Sequence, residues 1–206
     1  MDMHSEKIRK KYNRAARFYD ILETPMEMMA LREWRIDLMK GLEWNILEIG
    51  VGTGKNIEYY PDDISITAID FSEGMLQKAR EKAEKYNKNV TLIQMDAQDM
   101  KFPDNTFDTI FTTCVYCSVP DPVKGLKEMR RVCKPNGKII MIEHVRSEMW
   151  LLGAVMDILN PIVVTTYGAN INRKTVENIY KSGFTDVNSN NLYGDIVKKI
   201  VIINKK

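Results

Sequence analysis

The 206-residue sequence is poor in cysteine and lacks a long uninterrupted apolar run. Three cysteines, a small and odd number, predict no disulfide framework and favour a reducing compartment. The most apolar stretch, residues 149–166, is interrupted by Asp157, Asn160 and Pro161, so it falls short of the about 18 to 20 apolar residues of a membrane-spanning helix. The N-terminus also lacks the apolar segment of a secretory signal. We therefore expect a cytoplasmic protein in which residues 149–166 cap a pocket or lie on a membrane.

The charge balance lacks a strong excess of either sign. Thirty basic and 28 acidic residues give a net charge of +2, so composition does not support nucleic-acid binding. Hydrophobic residues make up 44% and charged residues 28% of the chain, as is typical of a folded globular protein. Two histidines and no second cysteine pair predict no metal site. No repeat or linker divides residues 1–206, and we expect a single domain.

A helical start gives way to alternating strands and helices. Residues 1–41 are predicted to form a helical lid, with a basic amphipathic helix at Lys7–Tyr19 and a second helix at Pro25–Gly41. Residues 45–206 are predicted to form an α/β core, because strands that alternate with helices make a parallel sheet covered on both faces. The last two strands predict an antiparallel hairpin at the sheet edge. The predicted strands are Asn45–Ile49, Ile64–Ile69, Val90–Met95, Phe107–Thr113, Lys138–Glu143 (after a turn at Pro135–Gly137), Thr185–Asn190 and Val197–Asn204, and the predicted helices are Lys55–Tyr60, Ser72–Tyr86, Val123–Cys133 and Thr175–Ser182.

Three alternate glycines follow the first strand within residues 47–54. Such a loop turns tightly and lets a ligand approach the backbone. A P-loop is excluded, because Ile49 and Asn56 stand where that motif needs a glycine and a hydroxyl residue. A dinucleotide fingerprint is weakened but stays open, because Lys55 replaces its third glycine.

An acidic residue, Asp70, closes the second strand, where a carboxylate can accept hydrogen bonds from both hydroxyls of a ribose. A third segment follows the third strand, and a fourth precedes the fourth strand. Together with the glycine loop and the end of the second strand, these segments resemble, in the same order, the motifs of class I S-adenosylmethionine-dependent methyltransferases, over about residues 47–145. The segments that carry the resemblance are Glu48-x-Gly50-x-Gly52-x-Gly54, Thr67–Ser72, Met95–Met100 and Phe102–Asp108.

The resemblance implies a Rossmann-like α/β fold with sheet order 3-2-1-4-5-7-6, S-adenosyl-L-methionine as cofactor and S-adenosyl-L-homocysteine as product. It implies that Asp96 bonds the adenine amino group and that Ala97 packs on the adenine ring. The segment Tyr12–Asp20 is similar to the helix that covers the cofactor in small-molecule members. The cofactor-binding residues implied are Tyr12, Tyr19, Glu48, Gly50, Gly52, Gly54, Asp70, Phe71, Met75, Asp96, Ala97 and Thr113.

Three residues near the ends of the fourth and fifth strands are candidates for the acceptor side. His144 ends the fifth strand and is the first candidate for acid–base or positioning work, the alternative being a histidine hydrogen-bonded to local backbone. Cys114 and Cys117 follow the fourth strand and are interpreted as buried apolar residues, as a redox or soft-metal pair, or as part of the acceptor pocket. Burial is favoured, and the soft pair keeps an arsenite-type methyltransferase as an alternative.

From Cys114 onward the chain is similar to thiol, phospholipid N- and quinone methyltransferases, in residues 115–119, 142–145 and 168–175. This resemblance implies a lipophilic acceptor under the apolar insertion 149–166. The Asn/Asp-Pro-Pro-aromatic motif of nucleic-acid amino methyltransferases is absent. Asn172 and Arg173 bind a polar head group or cap the helix that follows. The acceptor-side residues implied are Tyr116, Cys117, His144, Trp150, Asn172 and Arg173.

The predicted function is therefore methyl transfer by in-line displacement to a small, lipophilic acceptor, namely a thiol, an amino lipid or a quinol. Peripheral contact with a membrane, through the basic lid helix or the insertion, is an additional expectation. Two alternatives belong to other classes. One is a non-catalytic protein that binds the nucleoside cofactor, and the other is a protein that docks a partner on its apolar surface.

Overall fold

The computed structural model describes residues 31–206. The predicted helix Lys7–Tyr19, with Tyr12 and Tyr19, lies outside the described residues, as does the first part of the predicted helix Pro25–Gly41. The helices are α1 (Arg32–Met39), α2 (Glu73–Lys85), α3 (Pro122–Val132), α4 (Trp150–Thr166) and α5 (Thr175–Lys181), with a 3-10 turn at Ile57–Tyr59. The strands are β1 (Ile46–Ile49), β2 (Ile66–Asp70), β3 (Val90–Gln94), β4 (Phe107–Thr113), β5 (Cys133–His144), β6 (Asp186–Tyr193) and β7 (Val197–Ile203).

The seven strands form one sheet in the order β3-β2-β1-β4-β5-β7-β6. Neighbours among β1 to β5 pair in parallel, whereas β7 runs antiparallel to both β5 and β6. This arrangement confirms the sheet order and the edge hairpin expected from the sequence. Because β1 to β5 are parallel, the loops that follow them meet at one edge of the sheet, where open α/β sheets bind their ligands.

The core lies on both faces of the sheet, because successive strand residues point to opposite sides. Met141 of β5 packs in one cluster with Leu126 of α3. Its neighbour Ile142 packs in a second cluster with Leu38 of α1 and Leu76 of α2. All four residues of β1 are buried, as expected for a central parallel strand.

Two of the predicted segments have a different secondary structure. The segment Lys55–Tyr60 forms only the 3-10 turn, because Tyr60 precedes a proline and takes an extended backbone with ψ 136°. The turn predicted at Pro135–Gly137 lies within β5, whose pairing with β4 shifts from Phe107 opposite Cys133 to Thr109 opposite Lys138. The extra residues of β5 bulge out of the ladder at this point.

Side-chain caps fix the starts of two helices near the ligand-binding edge. The Ser72 hydroxyl accepts a hydrogen bond from the Met75 backbone N–H at 3.2 Å, which confirms the predicted cap of α2. The Asp121 carboxylate accepts from the Lys124 N–H at 3.0 Å and caps α3. Both caps follow strands, so they set where the strand-to-helix loops end.

The apolar insertion forms α4, in which only Gly153 and Met156 are buried. Within residues 31–206, neither this helix nor any other has both the length and the hydropathy needed to cross a membrane.

Candidate active site

A cavity of about 420 Å³ opens at the carboxyl edge of the parallel strands. Its volume falls in the ~300–1,000 Å³ range of small-molecule sites. The glycine loop and the ends of β2 to β5 form one part of the wall, and the end of α4 with the loop after it forms the other. The residues predicted from sequence that line this cavity are Gly50, Gly52, Asp70, Phe71, Met75, Asp96, Ala97, Thr113, Cys117 and His144.

Two glycines of the loop have different surroundings. Gly52 has φ +56°, and a Cβ built there would meet no atom within 4 Å, so its open side faces the cavity. Gly54 has φ +79°, and a Cβ would lie 2.7 Å from Ile57 Cδ1 and 3.0 Å from Ala79 Cα. Gly54 does not line the cavity. We therefore correct its predicted cofactor contact to a packing role, in which it lets the loop approach α2.

The buried Asp70 carboxylate anchors the glycine loop to the end of β2. Its Oδ2 accepts a hydrogen bond from the Gly52 N–H at 2.9 Å, and its Oδ1 accepts from the Ser72 N–H at 2.8 Å. Burial raises the pKa of Asp70 to about 6, and these N–H groups oppose the rise. Because an ionised carboxylate has about four acceptor positions, Asp70 has acceptor capacity left for a ligand.

Asp96 follows β3 and is held in place by Gln98, which the sequence analysis did not identify as a site residue. Its Oδ1 accepts from the backbone N–H and the side-chain Nε2 of Gln98, at 2.9 and 3.0 Å. Gln98 in turn accepts from the Asp121 N–H at 2.9 Å, which ties this loop to the cap of α3. Beside Asp96, Ala97 and Met75 give the cavity an apolar flank.

Glu48 is buried beneath the glycine loop and does not line the cavity. Its carboxylate accepts from the Asn56 side chain at 2.6 Å and from the Tyr60 hydroxyl, and burial raises its pKa to about 8. Asn56 accepts from Arg35 of α1, and both of these residues do line the cavity. The predicted cofactor contact of Glu48 is therefore corrected to support of Asn56.

Glu143 fixes the turn that follows β4. Its carboxylate accepts from the Thr112 hydroxyl at 2.6 Å and from the backbone N–H groups of Val115 and Tyr116, each at 3.1 Å. Burial raises the pKa of Glu143 to about 7. Tyr116 is fully buried and does not line the cavity, so its predicted acceptor contact is corrected to a core position.

The two cysteines of this turn both line the cavity. The Cys117 thiol donates to the Cys114 carbonyl oxygen at 3.5 Å, and burial raises the pKa of that thiol to about 12. A thiol with such a pKa stays protonated and is a poor soft-metal ligand or nucleophile. Among residues 31–206, no group of three His, Cys, Asp or Glu side chains is placed to hold a metal ion.

His144 reaches the cavity from the end of β5. Its Nδ1 is buried and has no hydrogen-bond partner in the described part of the chain, so this atom does not bond local backbone there. Burial lowers the pKa of His144, which keeps the imidazole neutral at physiological pH. The ring can therefore accept a proton.

The remaining acceptor-side predictions do not reach the cavity. Trp150 is 80% exposed on α4. Asn172 donates to Asp157 at 3.0 Å, and Arg173 donates to the Val119 carbonyl oxygen at 2.9 Å. Neither caps α5, which has no side-chain cap. Both are corrected to residues that hold the loop after α4.

Residues 47–141 match a family model described as a methyltransferase domain. A phosphatidylethanolamine N-methyltransferase of Cereibacter sphaeroides is 40% identical over 112 residues, which are 53% of this chain and 55% of that protein. Residues 47–141 thus form a methyltransferase domain. A ubiquinone/menaquinone biosynthesis C-methyltransferase of Geobacter sulfurreducens is 31% identical to this chain over 148 residues, which are 67% of this chain and 58% of that protein. The chain thus spans less than two thirds of the length of these curated relatives.

A solved S-adenosylmethionine-dependent methyltransferase of Thermotoga maritima has the same fold, with a TM-score of 0.72 and 23% identity. The match covers 95% of this chain and 99% of the solved chain. At this identity the likeness shows the fold alone.

Polar residues that the sequence analysis did not identify at or beside the cavity include Arg35, Asn56, Gln98, Asn170 and Glu143. Glu143 could have been recognised from the sequence, because it follows an apolar strand and a buried carboxylate needs several hydrogen-bond donors. Arg35, Asn56 and Asn170 reach the site through contacts between segments that are distant in sequence, and no local motif marks them.

Alanine at Gly54 is expected to lower the free energy of unfolding by about 2 kcal/mol or more, because the methyl group would clash with Ile57 and Ala79 at a left-handed backbone position. Alanine at Gly52 is expected to cost about 1 kcal/mol from the backbone alone. Its methyl group would instead enter the cavity and weaken ligand binding. Urea unfolding of both variants, with calorimetric titration of Gly52→Ala, measures this contrast. Equal destabilisation by the two changes would contradict the assignment.

The free energy of unfolding is expected to fall as the pH rises from about 4.5 to about 8. Burial raises the pKa values of Glu48, Asp70 and Glu143 to about 8, 6 and 7. The folded chain therefore keeps protons that the unfolded chain has lost, so this stability is present below the unfolded values and is lost as the pH passes the raised ones. Urea unfolding across this range measures the slope. Glu48→Gln should flatten it, whereas the control Glu84→Gln on α2 should not.

Proposed function

We propose that the cavity binds S-adenosylmethionine and that the chain transfers its methyl group to a small, lipophilic acceptor. The observation that carries this proposal is the Asp70 carboxylate, which lines the cavity and keeps acceptor capacity beyond its bonds to Gly52 and Ser72. Two adjacent ribose hydroxyls are suitable donors for it. The Gly52 N–H, which a pyrophosphate would need, is already engaged by Asp70. This contact supports a nucleoside cofactor without phosphates over a dinucleotide.

In this proposal Asp96 accepts from the adenine amino group, and Ala97 and Met75 flank the adenine ring. Phe71 follows Asp70 in the sequence and also lines the cavity, so we place it beside the nucleoside. The amino-acid end of the cofactor lies by the glycine loop, where Arg35 offers a guanidinium to its carboxylate. The other residues proposed around that end are Gly50, Gly52, Asn56 and Thr113, all of which line the cavity. Contacts from Tyr12 and Tyr19 stay predictions.

The cofactor supplies a methyl group on a sulfonium sulfur, and an acceptor atom displaces it in line. The protein mainly has to align the acceptor and exclude water, and such positioning can account for about 7 to 11 kcal/mol of a barrier. His144 is the group that accepts a proton from an amine, thiol or quinol, because its imidazole is neutral and lines the cavity. No other histidine lies among residues 31–206.

Apolar walls support a lipophilic acceptor. Val115, Val163 and Ile171 line the cavity, as His144 does. The names of the Cereibacter and Geobacter relatives refer to a phospholipid and to quinones, which supports an amino lipid or a quinol as the acceptor. The arsenite-type alternative is disfavoured, because the Cys117 thiol has a pKa of about 12. We also propose that the acceptor is reached by peripheral contact with a membrane.

The test is a methyl-transfer assay with methyl-labelled S-adenosylmethionine and a panel of amino lipids, quinols and thiols. The proposal predicts that label enters one of these classes and that S-adenosylhomocysteine forms in equal amount. Cofactor binding without transfer to any acceptor of the panel would favour the non-catalytic alternative.

A further inference from the structure

Exposed apolar side chains concentrate on one helix. Of the thirteen large hydrophobic residues exposed within residues 31–206, nine lie between positions 149 and 167. Trp150, Ile158 and Ile162 are 80%, 75% and 63% exposed. The nine are Met149, Trp150, Leu151, Leu152, Val155, Ile158, Leu159, Ile162 and Tyr167. A patch of this kind marks a contact surface, because soluble surfaces carry such residues singly.

The polar side chains of α4 are engaged by the rest of the protein. Asp157, its one charged residue, forms an ion pair with Arg146 at 2.8 Å. The Asn160 side-chain oxygen Oδ1 accepts from the Ile171 N–H at 3.0 Å, and the side-chain Nδ2 of Asn160 donates to the Asn170 side chain at 3.3 Å. These contacts bind one side of α4 to the body of the protein and leave the apolar side outward.

The exposed last turn of α4 satisfies its own hydroxyl groups. Thr165 donates to the Pro161 carbonyl oxygen at 2.7 Å, and Thr166 donates to the Ile162 carbonyl oxygen at 2.9 Å. Such bonds give each hydroxyl group a partner within its own helix. Since α4 also lacks Lys and Arg, the exposed side of its last turn carries neither a charge nor a hydroxyl without a partner.

We propose that the exposed face of α4 lies in the surface of a lipid bilayer and that the acceptor enters the cavity from the bilayer past Val163 and Tyr167. This inference rests on the proposed function. Val163 and Tyr167 belong to or directly follow α4, and both line the cavity, so the exposed face is continuous with the cavity wall. A protein partner on this face would cover that entry. A bilayer would instead supply a lipophilic acceptor directly to it.

The inference is tested by flotation of the full chain with phosphatidylcholine vesicles, alone and with a phosphatidylethanolamine fraction. The wild-type chain should float with both kinds of vesicle. The double variant Ile158→Asp/Ile162→Asp, which changes no cavity-lining residue, should bind about tenfold or more weakly, because two charges then face the acyl region. Trp44→Asp is the matched control, since Trp44 is 79% exposed but precedes β1 at the opposite edge of the sheet.

Parallel measurements separate this inference from the proposed function. If the double variant keeps its affinity for S-adenosylmethionine and its turnover of a water-soluble acceptor, but loses turnover of a vesicle-borne acceptor, docking through α4 is supported. A chain that binds the cofactor but not vesicles overturns the docking alone. A chain that binds vesicles through α4 but not the cofactor overturns the proposed function alone. A dimer that the double variant dissociates, without vesicle binding, overturns the docking in favour of a second copy.

Discussion

Replacement of Asp70 by alanine is expected to weaken the binding of S-adenosylmethionine about 100-fold or more, because two ribose hydroxyls would each lose a bond to a charged acceptor worth about 1.5–3 kcal/mol. Calorimetric titration at neutral pH measures the change. In the wild-type chain the affinity should also weaken as the pH falls through about 6, where Asp70 becomes protonated. Binding that persists unchanged after the substitution would refute the ribose assignment.

The control for this prediction has to separate ligand contacts from loop structure, since Asp70 also accepts from Gly52 and Ser72. Asp70→Asn keeps the size and one acceptor oxygen, and we expect it to bind more tightly than Asp70→Ala. Both variants should unfold in one transition, measured by thermal denaturation. If Asp70→Ala does not fold, the folded Asp70→Asn variant provides the test. Cofactor affinity equal to that of the wild-type chain in Asp70→Asn would then refute the ribose assignment.

Replacement of His144 by alanine is expected to lower turnover about 100-fold, the size of effect typical for the loss of a general base, while cofactor affinity stays within about twofold. The physical reason is that the neutral imidazole accepts the proton that the acceptor loses, whereas His144 is not among the residues proposed to hold the cofactor. Turnover is measured as the initial rate at which the methylated product forms, and cofactor affinity is measured separately by calorimetric titration.

A merely structural role of His144 would give a different pattern. Loss of packing at the end of β5 would weaken both binding and turnover, and it would not alter the pH dependence of turnover. A base gives a rate that rises with pH through the pKa of His144, which burial holds below its usual value. The His144→Ala variant should lose this rise. Unchanged turnover in the variant would contradict the assignment of the base.

Much of the fold could be predicted because it is encoded locally. The buried run of β1, the cap at Ser72 and the hairpin β6 to β7 follow from residues close in sequence. The sheet order came from a family resemblance. The glycine loop and Asp70 could be predicted as parts of one site for the same reason, since each stands at the end of a strand and parallel strands end at one edge.

The remaining site residues depend on contacts between distant segments. Glu48 belongs to the glycine-loop motif, yet it points away from the cavity to a partner twelve positions on, Tyr60. Asn170 reaches the site because its N–H donates to the Cys117 carbonyl oxygen at 2.8 Å, across 53 positions of sequence. Arg35 is brought there by the packing of α1 on the sheet. A motif locates a segment, but burial decides which of its side chains reach the ligand.

Calorimetric titration of the full chain with S-adenosylmethionine and S-adenosylhomocysteine tests most directly whether the cavity is the cofactor site. We expect one saturable site for both compounds, at micromolar affinity, which the Asp70→Ala change abolishes or strongly weakens. No heat of binding from either compound, with a chain that is folded by thermal denaturation, would contradict the assignment of the cavity.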